Sequence, residues 1–202
     1  MKILDLKQGS PEWLSARLGV ITASEIDALV TPLFATRKGE GVESYLCRKV
    51  CEKTLGWQAD DAASYAMEQG QIIETVCIPW YEFTYDVKVQ RVGFCVGDDP
   101  RIGCSPDGLI GYDEGIEIKS PQPPNHLKYL LRGVVPPDYI AQVHFSMLVT
   151  GRKAWTFVSF SRQFEPLVIR VDRDEEIQTK LRDALDPFLV KYDELCSKFK
   201  PN

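Results

Sequence analysis

Two short stretches of the chain concentrate residue types able to do chemistry: Cys104-Ser105-Pro106-Asp107-Gly108-Leu109 and Gly115-Ile116-Glu117-Ile118-Lys119-Ser120-Pro121. The spans Arg101 to Ile110 and Gly115 to Ser120 read as two strands joined by the turn formers Tyr112-Asp113-Glu114-Gly115. Side chains alternate faces along a strand, so Glu117 and Lys119 share one face while Ile116 and Ile118 point into the core on the other. A hairpin of this kind brings Asp107 beside them, and two carboxylates and an ammonium then converge on one patch. Hard oxygen donors suit Mg²⁺ or Mn²⁺, which keep waters in their shell and also bind phosphate oxygens. The chemistry implied is metal-assisted hydrolysis of a phosphodiester, in which the ion acidifies a water and offsets charge developing on the phosphate. Lys119 is placed to orient the attacking water, or to deprotonate it if burial depresses its pKa. Glu74, on a preceding helix, adds a direct or an outer ligand. A Glu-x-Lys strand is often only a solvated face and an Asp-Gly pair only a turn. Their joint occurrence around Ser-Pro-Asp-Gly is what makes the pattern specific.

The elements that must position these residues form a mixed α/β pattern. A short helix is expected around Glu12 to Arg17, and Thr22-Ala23-Ser24-Glu25 has the capping-box form ahead of a helix through Ile26 and Leu29-Val30. Free N–H groups in that first turn would favour an anion near Ser24. Thr31 to Glu43 reads as a mobile basic loop containing Arg37, followed by a helix from Glu43 to Leu55 that stops at Gly56. A helix from Ser64 to Tyr85, kinked or split at Pro79, carries Glu74. Strand character follows from Val87 to Val96, broken by Gly93. Pro136-Pro137 opens a helix through Gln142 that ends at Gly151, and strands are expected from Lys153 to Ser161 and Pro166 to Asp172. The tail from Asp174 to Phe199 is helical in spacing, with a kink at Pro187 and an apolar stripe suited to core or subunit packing.

Composition sets limits on function. The 202 residues include 24 Lys+Arg and 29 Asp+Glu, a formal net charge of -5, which argues against non-specific coating of nucleic acid and requires any such contact to be local. Repeats and linker-like tracts are lacking, so residues 1–202 read as a single domain. No apolar run approaches the roughly 20 residues of a membrane span. Charges at Lys2, Asp5 and Lys7 fall where a signal peptide would need an apolar core, so the expected location is cytoplasmic and reducing. The six cysteines form no C-x-x-C pair, and with only His126 and His144 available a zinc site has little support.

Ser-Pro-Asp-Gly-Leu followed by Glu-Ile-Lys resembles the PD-(D/E)xK nuclease motif. The wider set Arg17-Leu18-Gly19-Val20-Ile21-Thr22-Ala23-Ser24, Gly70-Gln71-Ile72-Ile73-Glu74 and Ala141-Gln142-Val143-His144-Phe145-Ser146-Met147 is similar to the bacteriophage lambda exonuclease group of recombination nucleases. The resemblance runs in order from about Trp13 to the last strands. It implies a restriction-endonuclease-like core with a central mixed sheet flanked by helices. It also implies that Asp107, Glu117 and the carbonyl of Ile118 hold Mg²⁺, with Mn²⁺ as a substitute, and that Lys119 serves the water while Glu74 and Gln142 arrange metal and nucleophile. Arg17, Ser24 and Ser105 match a pocket for the 5′-phosphate, with Arg37 as a further phosphate contact. Met67 matches an apolar wedge that separates the strands, although a helical methionine equally fills core space. The stretch Gln122-Pro123-Pro124-Asn125-His126 lacks the arginine that the group carries there for DNA.

The implied activity is 5′ to 3′ digestion of one strand of double-stranded DNA from its end, leaving a 3′ single strand for phage-type recombination by annealing. A ring-shaped homotrimer, a single-strand annealing protein as partner, and residence in the host cytoplasm of a phage or prophage protein come with it. Two alternatives remain open: a structure-specific or restriction-type endonuclease on the same motif, and a non-catalytic module that binds DNA ends as a scaffold. The scaffold reading would be expected to have lost a metal carboxylate or the lysine, and Asp107, Glu117 and Lys119 are all present.

Overall fold

A computed structural model describes residues 1–58 and 64–200, with side chains described outside 64–71. The order is β1 (Lys2–Leu4), α1 (Pro11–Arg17), β2 (Ile21–Thr22), a 3-10 helix (Ala23–Ala28), α2 (Glu40–Leu55), α3 (Ser64–Tyr85), β3 (Val89–Gln90), β4 (Phe94–Val96), β5 (Ile102–Cys104) and β6 (Gly108–Ile110). It continues with β7 (Glu114–Lys119), α4 (Pro123–Arg132), α5 (Pro137–Thr150), β8 (Ala154–Ser159), β9 (Leu167–Asp172) and α6 (Glu175–Lys198). Among the described residues the strands form two sheets, ordered β1-β4-β5-β2 and β3-β6-β7-β8-β9. Both are mixed: β2 runs parallel to β5 and β7 parallel to β8, while the other pairings are antiparallel.

The expected strand from Arg101 to Ile110 is in fact two. β5 belongs to the smaller sheet and β6 to the larger, and Ser105-Pro106-Asp107 crosses between them. Proline offers no N–H to a ladder, so the chain leaves one sheet and joins the other at Pro106. The β6–β7 hairpin itself is as expected, with Gly108 opposite Ile116. Its turn is closed by Arg152, whose guanidinium donates to the carbonyls of Ile110, Gly111 and Glu114 at 3.3, 2.9 and 2.8 Å.

Strand β7 is buried on both faces. Ile116 and Ile118 pack in one cluster with Cys77, Ile78 and Tyr81 of α3 and with Val158 and Phe160. The opposite face looks toward α5, which lies in the main core with the 3-10 helix, α2 and α6. Gly115 lets this packing close, because a Cβ there would stand 2.5 Å from the Trp155 ring. Proline opens α5 at Pro137 and left-handed Gly151 ends it. Helices α3 and α6 each continue as one element past Pro79 and Pro187.

Two further expectations require correction. The capping box at Thr22 does not form: the Thr22 hydroxyl donates to the Glu25 carboxylate at 2.8 Å instead of meeting backbone N–H, and only a six-residue 3-10 helix follows. Ser24 therefore does not begin an α-helix. The segment after Val30 is anchored, since a Val30–Thr36 bridge and buried Phe34, packed edge-on against His144, hold it and α2 already starts at Glu40. The proline-rich stretch after Pro121 is the start of α4, with Pro123 in the first turn and buried His126 bonded to Ser159 Oγ and to the Glu165 carbonyl.

Candidate active site

The β6–β7 hairpin places Asp107 one step beyond the Gly108–Ile116 pair, opposite Glu117. The Asp107 carboxylate accepts the backbone N–H of Ile118. Glu117, buried on the α5 side, accepts from Gln142 Nε2 at 2.6 Å and from Lys119 Nζ at 2.7 Å. Gln142 and Tyr139 lie three apart on α5 and so share a face; Lys119 Nζ sits 5.1 Å from the Tyr139 ring centre. Glu74, from α3, is ion-paired with Arg91. Asp107, Glu117, Lys119, Gln142 and Glu74 thus occupy one neighbourhood, beside a cleft of about 360 Å³ whose walls include Asp5, Lys7, Glu74, Arg91 and Asp107.

Negative charge is in excess there. Burial, then Glu117 and Glu74, push the Asp107 carboxyl well above the usual range, against the weaker pull of Lys119 and the Ile118 N–H. Burial also raises Glu74, with Arg91 opposing and Glu117 assisting. Burial works to lower the Lys119 ammonium, but Glu117 and Asp107 together outweigh it and the net shift is upward. The shift favours the ammonium form of Lys119. Of the two roles open to Lys119, orienting the water is the one this upward shift favours.

Among the described residues, no group of three or more His, Cys, Asp or Glu is arranged as a finished metal cage. The donors nevertheless suit a hard divalent ion. Asp107 and Glu117 are adjacent carboxylates whose mutual repulsion a cation would relieve, and Glu117 is held by Lys119 and Gln142, partners a cation could replace or share. His126 is engaged by Ser159 and Glu165.

The second constellation lies across the Ser105-Pro106-Asp107 crossing. Arg17, at the end of α1, stacks over the Trp13 ring at 4.3 Å. Its Nη1 donates to Ser105 Oγ at 3.0 Å, and its Nη2 reaches Ser24 Oγ at 3.3 Å and Thr22 Oγ1 at 3.5 Å. Trp13 Nε1 also donates to Ser105 Oγ, at 3.0 Å. The residues expected to form a phosphate pocket are therefore assembled around one guanidinium. Among the described residues no carboxylate stands within ion-pair distance of Arg17.

Arg37 is placed elsewhere, donating to the Val30 carbonyl at 3.0 Å, and no described contact joins it to Arg17, Ser24 or Ser105. Met67 lies outside the described side chains. Sequence reasoning missed Trp13, Thr22, Arg91 and Tyr139. Trp13 was open to discovery, because it precedes Arg17 by four residues on a helix and must share its face. Arg91 had no local signal: it reaches Glu74 only through the packing of β3 and its following loop beside α3.

Fold and site together define a phage-type recombination nuclease of mixed α/β architecture. The chain belongs to the family of the YqaJ-like viral recombinase domain, whose model matches residues 12–153. No curated protein matches it. Among solved structures it is similar to the alkaline exonuclease LHK-Exo of Laribacter hongkongensis, at 29% identity and TM-score 0.77 over 94% of this chain and 97% of that one. The same enzyme in complex with dAMP matches at TM-score 0.76, again with 29% identity and 94% and 97% covered. A phage-related exonuclease from Haemophilus somnus 129PT has the same fold, with TM-score 0.67 at 14% identity over 89% of this chain and 96% of that one. Among the described residues no helix is long and apolar enough to cross a membrane.

Proposed function

We propose that the protein is a Mg²⁺-dependent exonuclease that digests one strand of double-stranded DNA from its 5′ end and leaves a 3′ single strand for recombination by annealing. One observation carries this reading: Ser105 of the Arg17 pocket and Asp107 of the carboxylate cluster lie on the same short crossing, two residues apart. An anion receptor is thereby coupled at close range to a candidate metal site. The likeness to an alkaline exonuclease over nearly the whole chain supports the same reading.

Asp107, Glu117 and the Ile118 carbonyl would hold the ion, with Mn²⁺ able to substitute. Its contribution would be Lewis acidity toward a phosphate oxygen and the attacking water. The chain's own residues do the rest. Arg17, Ser24 and Ser105 bind the terminal 5′-phosphate and so set which phosphodiester reaches Asp107. Gln142 fixes the Glu117 carboxylate through its 2.6 Å hydrogen bond. Lys119, an ammonium, donates to the water or to the scissile phosphate and stabilises the charge that gathers there. Glu74 completes the acidic wall of the cleft, facing Arg91.

A homotrimeric ring around the duplex, a single-strand annealing protein as partner, and action in the cytoplasm of a bacterial host belong to the same proposal. The test is digestion of a linear 5′-phosphorylated duplex with Mg²⁺ and with EDTA, alongside a covalently closed circle. Cleavage of the linear duplex alone, abolished by EDTA, is expected. Equal cleavage of the circle would establish an endonuclease, and activity in EDTA would remove the metal from the mechanism.

A further inference from the structure

Behind the Arg17 pocket lies a layer of charge that the reaction itself does not use. Lys49, on α2, is 3% exposed, and its ammonium donates to Glu25 Oε2 at 2.8 Å and to Glu52 Oε2 at 2.9 Å. Arg48 joins Glu25 Oε1 at 2.8 Å. Each carboxylate grips one end of the pocket. Glu52 accepts the N–H of Gly19 at 3.0 Å, in the turn immediately after Arg17, and the Gly19 carbonyl accepts from Tyr192 at 2.8 Å. Glu25 accepts the Thr22 hydroxyl at 2.8 Å. With its only proton given to Glu25, Thr22 meets Ser24 and Arg17 solely as an acceptor, so the hydrogen-bond polarity of the pocket wall is set from behind.

The balance of charge is the more telling feature. Two carboxylates, Glu25 and Glu52, are matched by two cations, Lys49 and Arg48. Arg17 is left facing hydroxyl groups. A half-buried guanidinium ordinarily takes a carboxylate partner, because unpaired charge out of water is costly. Glu25 is the available acid: it follows Ser24 in the chain and already touches Thr22. What keeps it from Arg17 is its engagement by Lys49 and Arg48.

We propose that Lys49 is a positioning and specificity residue, which retains Glu25 on the far side of Thr22 and thereby keeps the Arg17 guanidinium open for a 5′-terminal phosphate. Without this lysine, Glu25 keeps only the more exposed Arg48 on Oε1, and its freed Oε2 turns to Arg17 and occupies the pocket as an internal anion. The proposal rests on the reading of Arg17, Ser24 and Ser105 as a 5′-phosphate pocket.

The experiment is a binding titration of the full chain, in EDTA so that nothing is cleaved, with duplexes of one sequence ending in 5′-phosphate or 5′-hydroxyl. The wild type is expected to prefer the phosphorylated end. Lys49→Met should lower that preference about tenfold, the effect of losing one charge-assisted hydrogen bond, while Lys49→Arg retains it. Adding Glu25→Gln to Lys49→Met should restore most of the preference, because the competing anion is gone. A folded Lys49→Met with unchanged preference overturns the proposal, and so does a double variant as impaired as the single one, which would make Lys49 a structural support only. If Lys49→Met fails to fold, Glu25→Gln alone decides: preference kept or increased supports the proposal, and a tenfold loss refutes it. A wild type indifferent to the phosphate would instead refute the pocket reading on which the proposal depends.

Discussion

The carboxylate cluster and the Arg17 pocket stand on either side of one three-residue crossing, yet they are built on opposite principles. In the cluster, Asp107, Glu117 and Glu74 outnumber the cations able to satisfy them, and Asp107 is driven toward its protonated form. In the pocket, a guanidinium is surrounded by the hydroxyls of Ser105, Ser24 and Thr22, with its acidic neighbour Glu25 bound to other partners. One region is short of positive charge and the other of negative charge. On the proposed function, a DNA end bringing a 5′-phosphate, with a divalent cation beside it, would supply both deficits. The contrast explains how a chain of net charge -5 can act on DNA: what matters is where the charge is left uncompensated.

The strongest way to break the comparison is to remove the cluster while sparing the pocket. Asp107→Ala should reduce cleavage of linear duplex by about 10³-fold or more, the order expected when a metal's charge stabilisation is lost, and should leave end binding intact. Loss of binding to the same degree would show that the two regions are not separable. Removing the pocket instead, by Arg17→Gln, should cost about 10- to 100-fold in the preference for 5′-phosphate over 5′-hydroxyl ends, measured as a ratio of kcat/KM values. An equal loss on both kinds of end would mean that Arg17 supports the fold and does not read the phosphate.

The smallest effect concerns stability. A raised carboxyl pKa means that folded Asp107 keeps a proton over a pH range in which the unfolded chain has already released it. Its contribution therefore turns unfavourable as pH rises above about 4, and the penalty is complete once pH exceeds the folded value. Asp107→Asn should accordingly raise Tm near pH 8, by about 2 °C, and the gain should fade as the pH approaches 4. Mg²⁺ should raise the Tm of the wild type near pH 8 more than that of Asp107→Asn, as ligand linkage requires. A pH-independent gain, or equal Mg²⁺ shifts, would separate Asp107 from both the charge excess and the metal.

Much of the cluster was legible in residue order. The alternation of Ile116, Glu117, Ile118 and Lys119 assigns faces before any packing is known, because a strand has period two, and the hairpin then fixes Asp107 by register. Arg17 and Ser24 lie close enough in sequence that any compact folding of residues 17 to 24 keeps them near each other. Other features were not legible. The single strand read from Arg101 to Ile110 is instead two, because the break at Pro106 shows only once β5 and β6 pair in different sheets. The capping-box pattern at Thr22 was overridden because a side-chain partner, Glu25, competed for the hydroxyl.

The sequence by itself determined the chemistry available: the types of ligand, the faces of β7, and the two-residue separation of Ser105 from Asp107. These follow from periodicity and covalent neighbourhood, which tertiary packing cannot alter. Only the tertiary structure decided how the charges are spent. Arg91 reaches Glu74 from 17 positions away, Gln142 reaches Glu117 from 25, and Lys49 holds Glu25 across the gap between α2 and the 3-10 helix. Coulomb energy depends on distance through space and on burial, neither of which is written locally in the chain. Which cation neutralises which carboxylate, and which guanidinium is left open for a ligand, is therefore a property of the folded protein alone.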